Sequence, residues 1–151
     1  MLDPMDLQKK LKSIKTEYAE IRISESFSTT IHLSKRTIET CKVGTSTQGS
    51  VRVYNKGCWG FFAFTSLDMV DYAMQQALQL SNIQKKENAP TLSSLQMNVI
   101  KEKTNVLIPP NTVSLEEKMN VLTQYNDILK DSNLIENTNV LYRDSLTQYV
   151  L

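Results

Sequence analysis

Apolar residues recur at three- and four-residue intervals in three segments of the chain, which is the spacing of one face of an α-helix. The first segment follows Asp3-Pro4, a pair that suits the start of a helix, and carries a narrow stripe of Leu7, Leu11, Ile14 and Tyr18. The second segment follows Ser66, which is expected to cap it. The third follows Ser114, and Glu117 three residues later completes a capping box. The spacing therefore predicts three helices.

Elsewhere the apolar period is two, which is typical of half-buried β-strands. The predicted strands are Ala19–Ser24, Thr29–Leu33, Thr37–Val43, Val51–Tyr54, Trp59–Thr65 and Leu95–Ile100, followed by a closing hairpin of Val140–Arg143 and Thr147–Leu151. Short connections favour antiparallel neighbours, because parallel strands need long crossovers. We therefore predict an α+β fold, with a mostly antiparallel sheet of about five to seven strands and two or three helices packed on it.

The chain is expected to be a single N-terminal domain, residues 1–151, of a longer protein. Residues 1–83 are predicted to hold a helix, a meander sheet and a second helix, residues 84–113 a proline-containing connection, and residues 114–151 a helix and the closing hairpin. The sequence ends on Thr-Gln-Tyr-Val-Leu, inside an apolar alternation and not in a polar tail. Since terminal residues are commonly polar and frayed, this ending favours a chain that continues.

The glycines and the aromatic residues of the chain are concentrated in one region. All four glycines lie between Gly44 and Gly60, and Asn55-Lys56-Gly57 has the composition of a tight turn. We expect Gly57 and Gly60 to be needed for this turn and for close strand packing, and Trp59 to be largely buried. Basic residues do not interleave the aromatic run from Trp59 to Phe64, so core packing is favoured over base stacking.

The charge balance limits the classes of partner. Seventeen basic and sixteen acidic residues leave a net charge of +1, which argues against direct nucleic-acid binding. No run of 18 apolar residues exists, and aspartates stand where a signal peptide would be basic. Cys41 and Cys58 match neither a metal-knuckle spacing nor a disulfide framework. These features favour a cytoplasmic protein that does not bind membranes.

The residues of this chain do not form a recognisable catalytic motif. His32 is the one histidine, so a two-histidine zinc motif cannot be built, and an ordinary strand residue is the favoured interpretation of it. Ser/His/Asp and Cys/His arrangements can be assembled from the composition, but neither has a nucleophile elbow or local signature. No phosphate-binding glycine loop is present. We therefore assign no catalytic and no metal-ligating residue, and expect no activity from these residues alone.

Three stretches of the sequence resemble the TldD/PmbA family. They are YAEIRISES, GSVRVYNKGCWGFFAFTS followed by an alanine-rich helix, and the later VSLEEK at residues 113–118. The family-motif residues, expected to be structural, are Glu20, Arg22, Gly49, Arg52, Val53, Gly57, Trp59, Gly60 and Phe61. Phe62-Ala63-Phe64 departs from the pattern, since small residues are usual there.

The resemblance implies an N-terminal, non-catalytic domain of a zinc-type metalloprotease whose metal-binding H-E-x-x-x-H helix lies in a C-terminal half. It also implies a homo- or heterodimer with a paralogous subunit that encloses a cleft for unfolded peptide substrates. Family members are also called modulators of DNA gyrase. The alternative is a stand-alone protein-interaction module, for instance one contacting gyrase, without protease activity. A complete small hydrolase is disfavoured because a nucleophile or metal constellation is missing.

Overall fold

The computed structural model describes residues 3–35, 37–83, 89–90, 92–93, 100, 102–131 and 134–151. The elements in chain order are helix α1 (Pro4–Ser13), strands β1 (Tyr18–Ser34), β2 (Thr37–Asn55) and β3 (Cys58–Phe64), helix α2 (Val70–Ser81), helix α3 (Leu115–Lys130) and strand β4 (Asn139–Val150). Short 3₁₀ turns, Leu67–Met69 and Pro110–Thr112, precede α2 and α3.

The strands of the described residues form one antiparallel sheet in the order β3-β2-β1-β4. The α+β class is confirmed, but the expected five to seven strands is wrong, because this sheet has four. Strands β1 and β2 are 17 and 19 residues long, and each runs through segments that the sequence suggested were separate. The polar residues between those segments interrupt the apolar alternation without ending the strand. The expected closing hairpin is likewise one strand, β4.

The turn between β2 and β3 is where the sequence placed it. The two strands pair from Gly49↔Phe64 to Asn55↔Cys58, which leaves a two-residue loop. Both loop residues have positive φ, 48° at Lys56 and 81° at Gly57. This combination is that of a type I′ turn, whose twist matches that of the strands it joins. The prediction of a tight turn at Asn55-Lys56-Gly57 is confirmed.

Two of the three predicted helix caps are present in the structure. The Asp3 side chain accepts a hydrogen bond from Met5 N at 3.0 Å, with Pro4 at the first helical position. The Ser114–Glu117 capping box is present in both directions. Ser66 precedes the 3₁₀ turn, but its hydroxyl bonds to the Asp68 carboxylate and caps no backbone N–H, so that expectation is wrong. No helix in the described ranges has both the length and the apolar character needed to cross a membrane.

The chain divides into two compact units. Unit 1 consists of the described residues within 1–25, 46–102 and 148–151, and unit 2 of those within 26–45 and 103–147. The strand predicted at Leu95–Ile100 lies, except for Ile100, outside the described residues. The core of unit 1 joins strand residues to helices α1 and α2 and comprises Leu7, Ile21, Ile23, Val51, Val53, Phe64, Val70, Ala73, Met74 and Ala77.

Unit 2 has a smaller apolar core and a more polar interior. Ile31 and Leu33 of β1 pack against Leu122 of α3. The same unit buries several polar side chains, which are Thr29, Lys118, Asn126 and Thr138. Because buried polar groups are costly unless they are hydrogen-bonded, the stability of unit 2 depends in part on the contacts of these side chains.

Candidate functional site

Trp59 and Phe61 of β3 lie on an exposed face of unit 1. Gly60 between them faces α2, and since side chains alternate across a strand, its neighbours point to the opposite face. Trp59 is 49% exposed and Phe61 is 54% exposed. The expectation that Trp59 is largely buried, and that the whole aromatic run packs in the core, is therefore wrong. The alternation that buries Phe64 in the core places Trp59 and Phe61 on the outer face.

Charged residues of β1 and β2 lie beside Trp59. The guanidinium carbon of Arg52 lies 4.8 Å from the centre of the Trp59 ring, within cation–π range. Arg52 Nε is 2.8 Å from Glu20 Oε1, and Arg22 Nε is 3.4 Å from the same oxygen. Arg52 also pairs directly with Phe61 across the β2–β3 ladder. We call these residues, Glu20, Arg22, Arg52, Trp59 and Phe61, the aromatic–arginine surface.

Two tyrosines border this surface. Tyr18 meets Trp59 edge-on with ring centres 5.9 Å apart, and Tyr54 is tilted against Trp59 at 5.0 Å. The Tyr54 hydroxyl donates to Pro90 O at 2.7 Å, and Tyr54 is buried. The Tyr18 hydroxyl donates to the Glu20 carboxylate, and this bond raises the Tyr18 pKa above its ordinary value. The tyrosines thus hold Trp59 and Glu20 in place while the Trp59 ring stays half exposed.

The remaining family-motif residues serve packing and chain geometry. Val53 lies in the core of unit 1, and Gly57 forms the turn. Gly49 lies under the ring of Phe64, its cross-strand partner, and a Cβ there would come within 2.1 Å of Phe64 Cζ. At Gly60 a Cβ would lie 1.8 Å from the backbone oxygen of Ala77. The close approach at Gly60 is therefore to helix α2 and not to a neighbouring strand.

The exposure of Trp59 can be tested by fluorescence, because it is the one tryptophan in the chain. We expect red-shifted emission and efficient quenching by acrylamide in the native protein. Replacing Arg52 by alanine should increase the quenching constant further, since the guanidinium covers part of the ring. Replacing Arg22 by alanine is the matched control and should leave quenching unchanged. Blue-shifted emission that resists quenching would contradict the placement of Trp59.

Unit 2 contains a buried ion pair that the sequence analysis did not single out. Lys118 of α3 has a side chain only 2% exposed, and its ammonium lies 2.8 Å from Asp144 Oδ2 of β4. The same ammonium donates to Thr29 Oγ1 at 2.9 Å and to Pro110 O at 2.8 Å. It also lies 5.2 Å from the centre of the Phe27 ring. An ammonium has three donors, so these three bonds use all of them.

Asp144 is the acceptor at the centre of this network. Burial alone would raise the pKa of the Asp144 carboxyl, but the bonds from Lys118 and Tyr142, with the Thr29 hydroxyl acting in the same sense, hold it below its usual range. Tyr142 donates to Asp144 Oδ2 at 2.7 Å, and burial together with this bond raises the Tyr142 pKa to about 12. Within the described residues, Asp144 Oδ1 is buried without a partner of hydrogen-bond geometry. Tyr142 therefore stays protonated and Asp144 ionised near neutral pH.

A sequence signal for Lys118 exists in its spacing. The buried residues of α3 are Lys118, Leu122 and Asn126, which recur at intervals of four. A lysine in register with a buried leucine on a helix needs a buried partner. The partner comes from β4, far along the chain, and spacing does not predict its position because the sequence of β4 suggests a hairpin. In the sequence, Lys118 stands out only as the last residue of the VSLEEK match.

The described residues do not supply a metal site. No group of three or more His, Cys, Asp and Glu side chains converges within the ranges that the structure describes. His32 instead bridges strands, with Nδ1 3.1 Å from Glu39 Oε2 and Nε2 2.8 Å from Asn139 Oδ1. Its contacts are those of an ordinary strand residue. The zinc-type ion that the resemblance implies is expected in a C-terminal half, so these contacts say nothing about it.

Comparisons with known proteins point to one family. Residues 19–81 match the family model described as PmbA/TldA metallopeptidase domain 1. A metalloprotease from Synechocystis sp. is 29% identical over 133 residues, which covers 85% of this chain and 28% of that protein. A candidate modulator of a DNA gyrase from Thermotoga maritima has a similar fold, with a TM-score of 0.67 and 17% identity over 97% of this chain and 32% of that one. TldE from Thermococcus kodakarensis gives a TM-score of 0.56 and 13% identity, over 97% of this chain and 35% of its own.

The chain spans 28% to 35% of the length of these relatives. The matched residues 19–81 contain β1, β2, β3 and α2, and with them the aromatic–arginine surface and the two closely packed glycines. This part of the chain is similar to the first domain of the PmbA/TldD family, so the resemblance seen in the sequence is confirmed over these residues.

Proposed function

We propose that this chain is the N-terminal, non-catalytic domain of a TldD/PmbA-type metalloprotease, in which it contributes to subunit pairing and to a cleft for unfolded peptides. The catalytic metal would be bound by residues other than those described. The domain's own part is recognition of an extended chain. The observation that carries this proposal is a long sheet edge that has no neighbouring strand among the described residues.

The edge belongs to β2. Strand β3 pairs with β2 only from Gly49 to Asn55, and β1 covers the other side. Within the described residues of unit 2, Thr37–Thr45 therefore has no strand on its outer side, and we call this segment the open edge. Eight of its nine residues are exposed, including Ile38 at 51% and Val43 at 49%. An open edge of this length presents unpaired N–H and C=O groups, which are a template for another chain.

An extended peptide can add to such an edge as a further strand. Main-chain hydrogen bonds then supply affinity without requiring a particular sequence, and this suits a protein that takes unfolded substrates. Nine residues offer roughly 30 Å of edge at the rise of a β-strand. Ile38 and Val43 lie on opposite faces of the strand, so each face offers one apolar contact to an added chain.

The aromatic–arginine surface supports the other half of the proposal. Tryptophan, phenylalanine and arginine are enriched in protein–protein interfaces, and tryptophan and arginine are common among the residues whose truncation weakens binding most. Trp59, Phe61 and Arg52 combine these residue types on one exposed face. This surface equally favours the second candidate function, a protein-interaction module without protease activity. Peptide binding at the open edge distinguishes the two candidates.

We expect the 151-residue chain to bind a permanently unfolded polypeptide, such as reduced and carboxymethylated lactalbumin labelled with fluorescein. Replacing Ile38 or Val43 by lysine should weaken this binding at least about fivefold, because edge lysines oppose the addition of a strand. The measurement is fluorescence anisotropy. Ile128→Lys is the matched control, since Ile128 is 71% exposed on α3 and lies off the edge.

The outcomes separate the candidates. Weakened binding by the two edge variants, with the Ile128 variant unchanged, supports the peptide cleft. If all four proteins bind equally, the open edge is not the binding site. If none binds and circular dichroism shows that all are folded, the interaction module is favoured.

A further inference from the structure

Unit 2 contains an open cavity of about 320 Å³ whose lining includes Lys118 of the buried ion pair. Three aliphatic side chains line it, Ile108, Val113 and Val121. Ile108 is 69% exposed and Val121 is 43% exposed, so the apolar wall extends to the rim of the cavity. An apolar wall with a few fixed polar groups is the usual composition of a small-ligand site.

The hydrogen-bond donors of the polar side chains that line the cavity are already engaged in bonds within the protein. The ammonium of Lys118 makes three bonds, to Thr29, Pro110 and Asp144, so none of its protons is left for a ligand. The Tyr142 hydroxyl donates to Asp144. The Thr112 hydroxyl, also in the lining, donates to Pro109 O at 2.8 Å.

The same groups still offer acceptors. A hydroxyl oxygen keeps lone pairs after its proton is committed, so both Thr112 and Tyr142 can accept a bond. Glu117 also lines the cavity, and both bonds from Ser114 go to its Oε2, at 2.9 Å each. Within the described residues this leaves Glu117 Oε1 for a further donor. The backbone N–H and the hydroxyl of Ser114 lower the Glu117 pKa, so this carboxylate is ionised near neutral pH.

Two of the described residues that line the cavity are charged, Glu117 and Lys118. Lys118 is balanced by Asp144 at 2.8 Å, while Glu117 has no cation among its bonding partners in the part of the chain that the structure describes. A site with apolar walls, free acceptors and one uncompensated carboxylate is complementary to a ligand that has an aliphatic body and a donor-rich cation. Among the described residues of the lining, an anion or a ligand that only accepts hydrogen bonds would meet no free side-chain donor.

We propose that this cavity binds a primary ammonium group carried on an aliphatic chain. The aliphatic part packs against Ile108, Val113 and Val121, and the ammonium donates to Glu117, with Tyr142 or Thr112 as a second acceptor. A lysine side chain of a peptide and a free alkylamine share this chemistry, since lysine is an ammonium on a four-carbon stem. The inference does not depend on peptide binding at the open edge, which involves none of these residues.

The test is an NMR titration of the 151-residue chain with three probes, butylammonium, butyltrimethylammonium and butanoate. We expect butylammonium to shift the signals of Val113, Val121 and Tyr142, and to bind at least about tenfold more tightly than the other two. The quaternary probe has the same charge and chain but no N–H donors, so it isolates the hydrogen bonds. Equal affinity for the primary and quaternary probes, or shifts confined to other residues, would overturn the proposal.

Two sets of variants test the site itself. Glu117→Gln removes the charge but keeps a capping box, since glutamine serves at that position, and should weaken butylammonium binding about tenfold. Glu116→Gln, one residue earlier on the same helix, should leave it unchanged. On the exposed rim, Val121→Lys should weaken binding and Val121→Glu should strengthen it. The site is refuted if Glu117→Gln binds butylammonium as tightly as the parent does and if Val121→Lys and Val121→Glu do not change this affinity in opposite directions.

A final comparison identifies the source of the ammonium. A short extended peptide with one lysine is titrated beside the same peptide with norleucine. Whether the natural ligand is a peptide lysine or a free alkylamine, the lysine peptide should bind and the norleucine peptide should not. Tighter binding of the lysine peptide than of butylammonium assigns the site to peptides, whereas equal affinity assigns it to free amines. Equal binding of both peptides counts against the proposal.

Discussion

Gly60→Val is expected to lower the free energy of unfolding by more than about 3 kcal/mol, among the largest effects of any single substitution in this chain. A Cβ at position 60 would lie 1.8 Å from Ala77 O and 2.6 Å from Ser81 N. Both are backbone atoms of α2, so no side-chain rotation can relieve the contact and the helix must move away from the sheet. Loss of that packing would expose the core formed by Val53, Ala73 and Ala77.

The matched control is Gly44→Val. A Cβ at Gly44 meets nothing within 4 Å, and the residue lies in an exposed part of β2. Valine also favours a strand, so this variant should stay within about 0.5 kcal/mol of the parent. Urea denaturation, monitored by circular dichroism, gives the free energy of unfolding of both variants. A Gly60 variant with an unchanged midpoint would refute the close approach of β3 to α2.

The second large effect is expected at the buried ion pair of unit 2. Lys118→Met should destabilise the protein by about 3 to 5 kcal/mol at neutral pH, because it leaves the Asp144 carboxylate buried without its cation. Lys130→Met, at the exposed end of the same helix, should cost less than about 0.5 kcal/mol. Removing both charges in Lys118→Met/Asp144→Asn should recover at least half of the loss, since no uncompensated charge then remains. Urea midpoints of the four proteins give the comparison.

The pH dependence of this pair has a defined sign. The folded-state pKa of Asp144 lies below its unfolded value, so the unfolded state binds the proton more readily. The pair's contribution to stability is therefore complete above the unfolded pKa and is lost as the pH falls through the folded pKa. In Lys118→Met the Asp144 carboxylate lacks its cation. Acidification protonates this carboxylate, so the difference in free energy of unfolding between the parent and the variant should become smaller at low pH. If the free energies of unfolding of the parent and of Lys118→Met differ more at low pH than at neutral pH, Asp144 is not the ionised partner of Lys118.

The local signals in the sequence predicted helices and turns well. Asp3-Pro4 and Ser114–Glu117 specify helix starts through contacts within four residues, and both caps are present. Lys56-Gly57 fixes its turn through backbone conformation alone. These features depend on neighbours in the chain, and their physics is complete within a short window of sequence.

The number of strands depended on information that a short window does not contain. A polar stretch within β1 or β2 resembles a loop, yet a strand continues wherever its neighbour supplies hydrogen bonds. The face that Trp59 occupies was likewise undetermined, because alternation places Trp59 and Phe61 opposite Gly60 but does not say which face is covered. Gly60 determines which face of β3 is covered, since only a residue without Cβ fits against α2. The partner of Lys118, Asp144 on β4, required tertiary contacts that sequence spacing does not reveal.

The measurement that most directly tests the proposed function is amide hydrogen exchange along the open edge, with and without an unfolded peptide. In the free chain, amides of Thr37–Thr45 that bond to β1 should exchange slowly, and the alternate amides that point away from β1 should exchange fast. Addition of a peptide strand should slow those fast amides, in an alternating pattern, and leave the exposed face of α3 unchanged. Fast exchange at the alternate amides in the presence of saturating peptide would contradict the account.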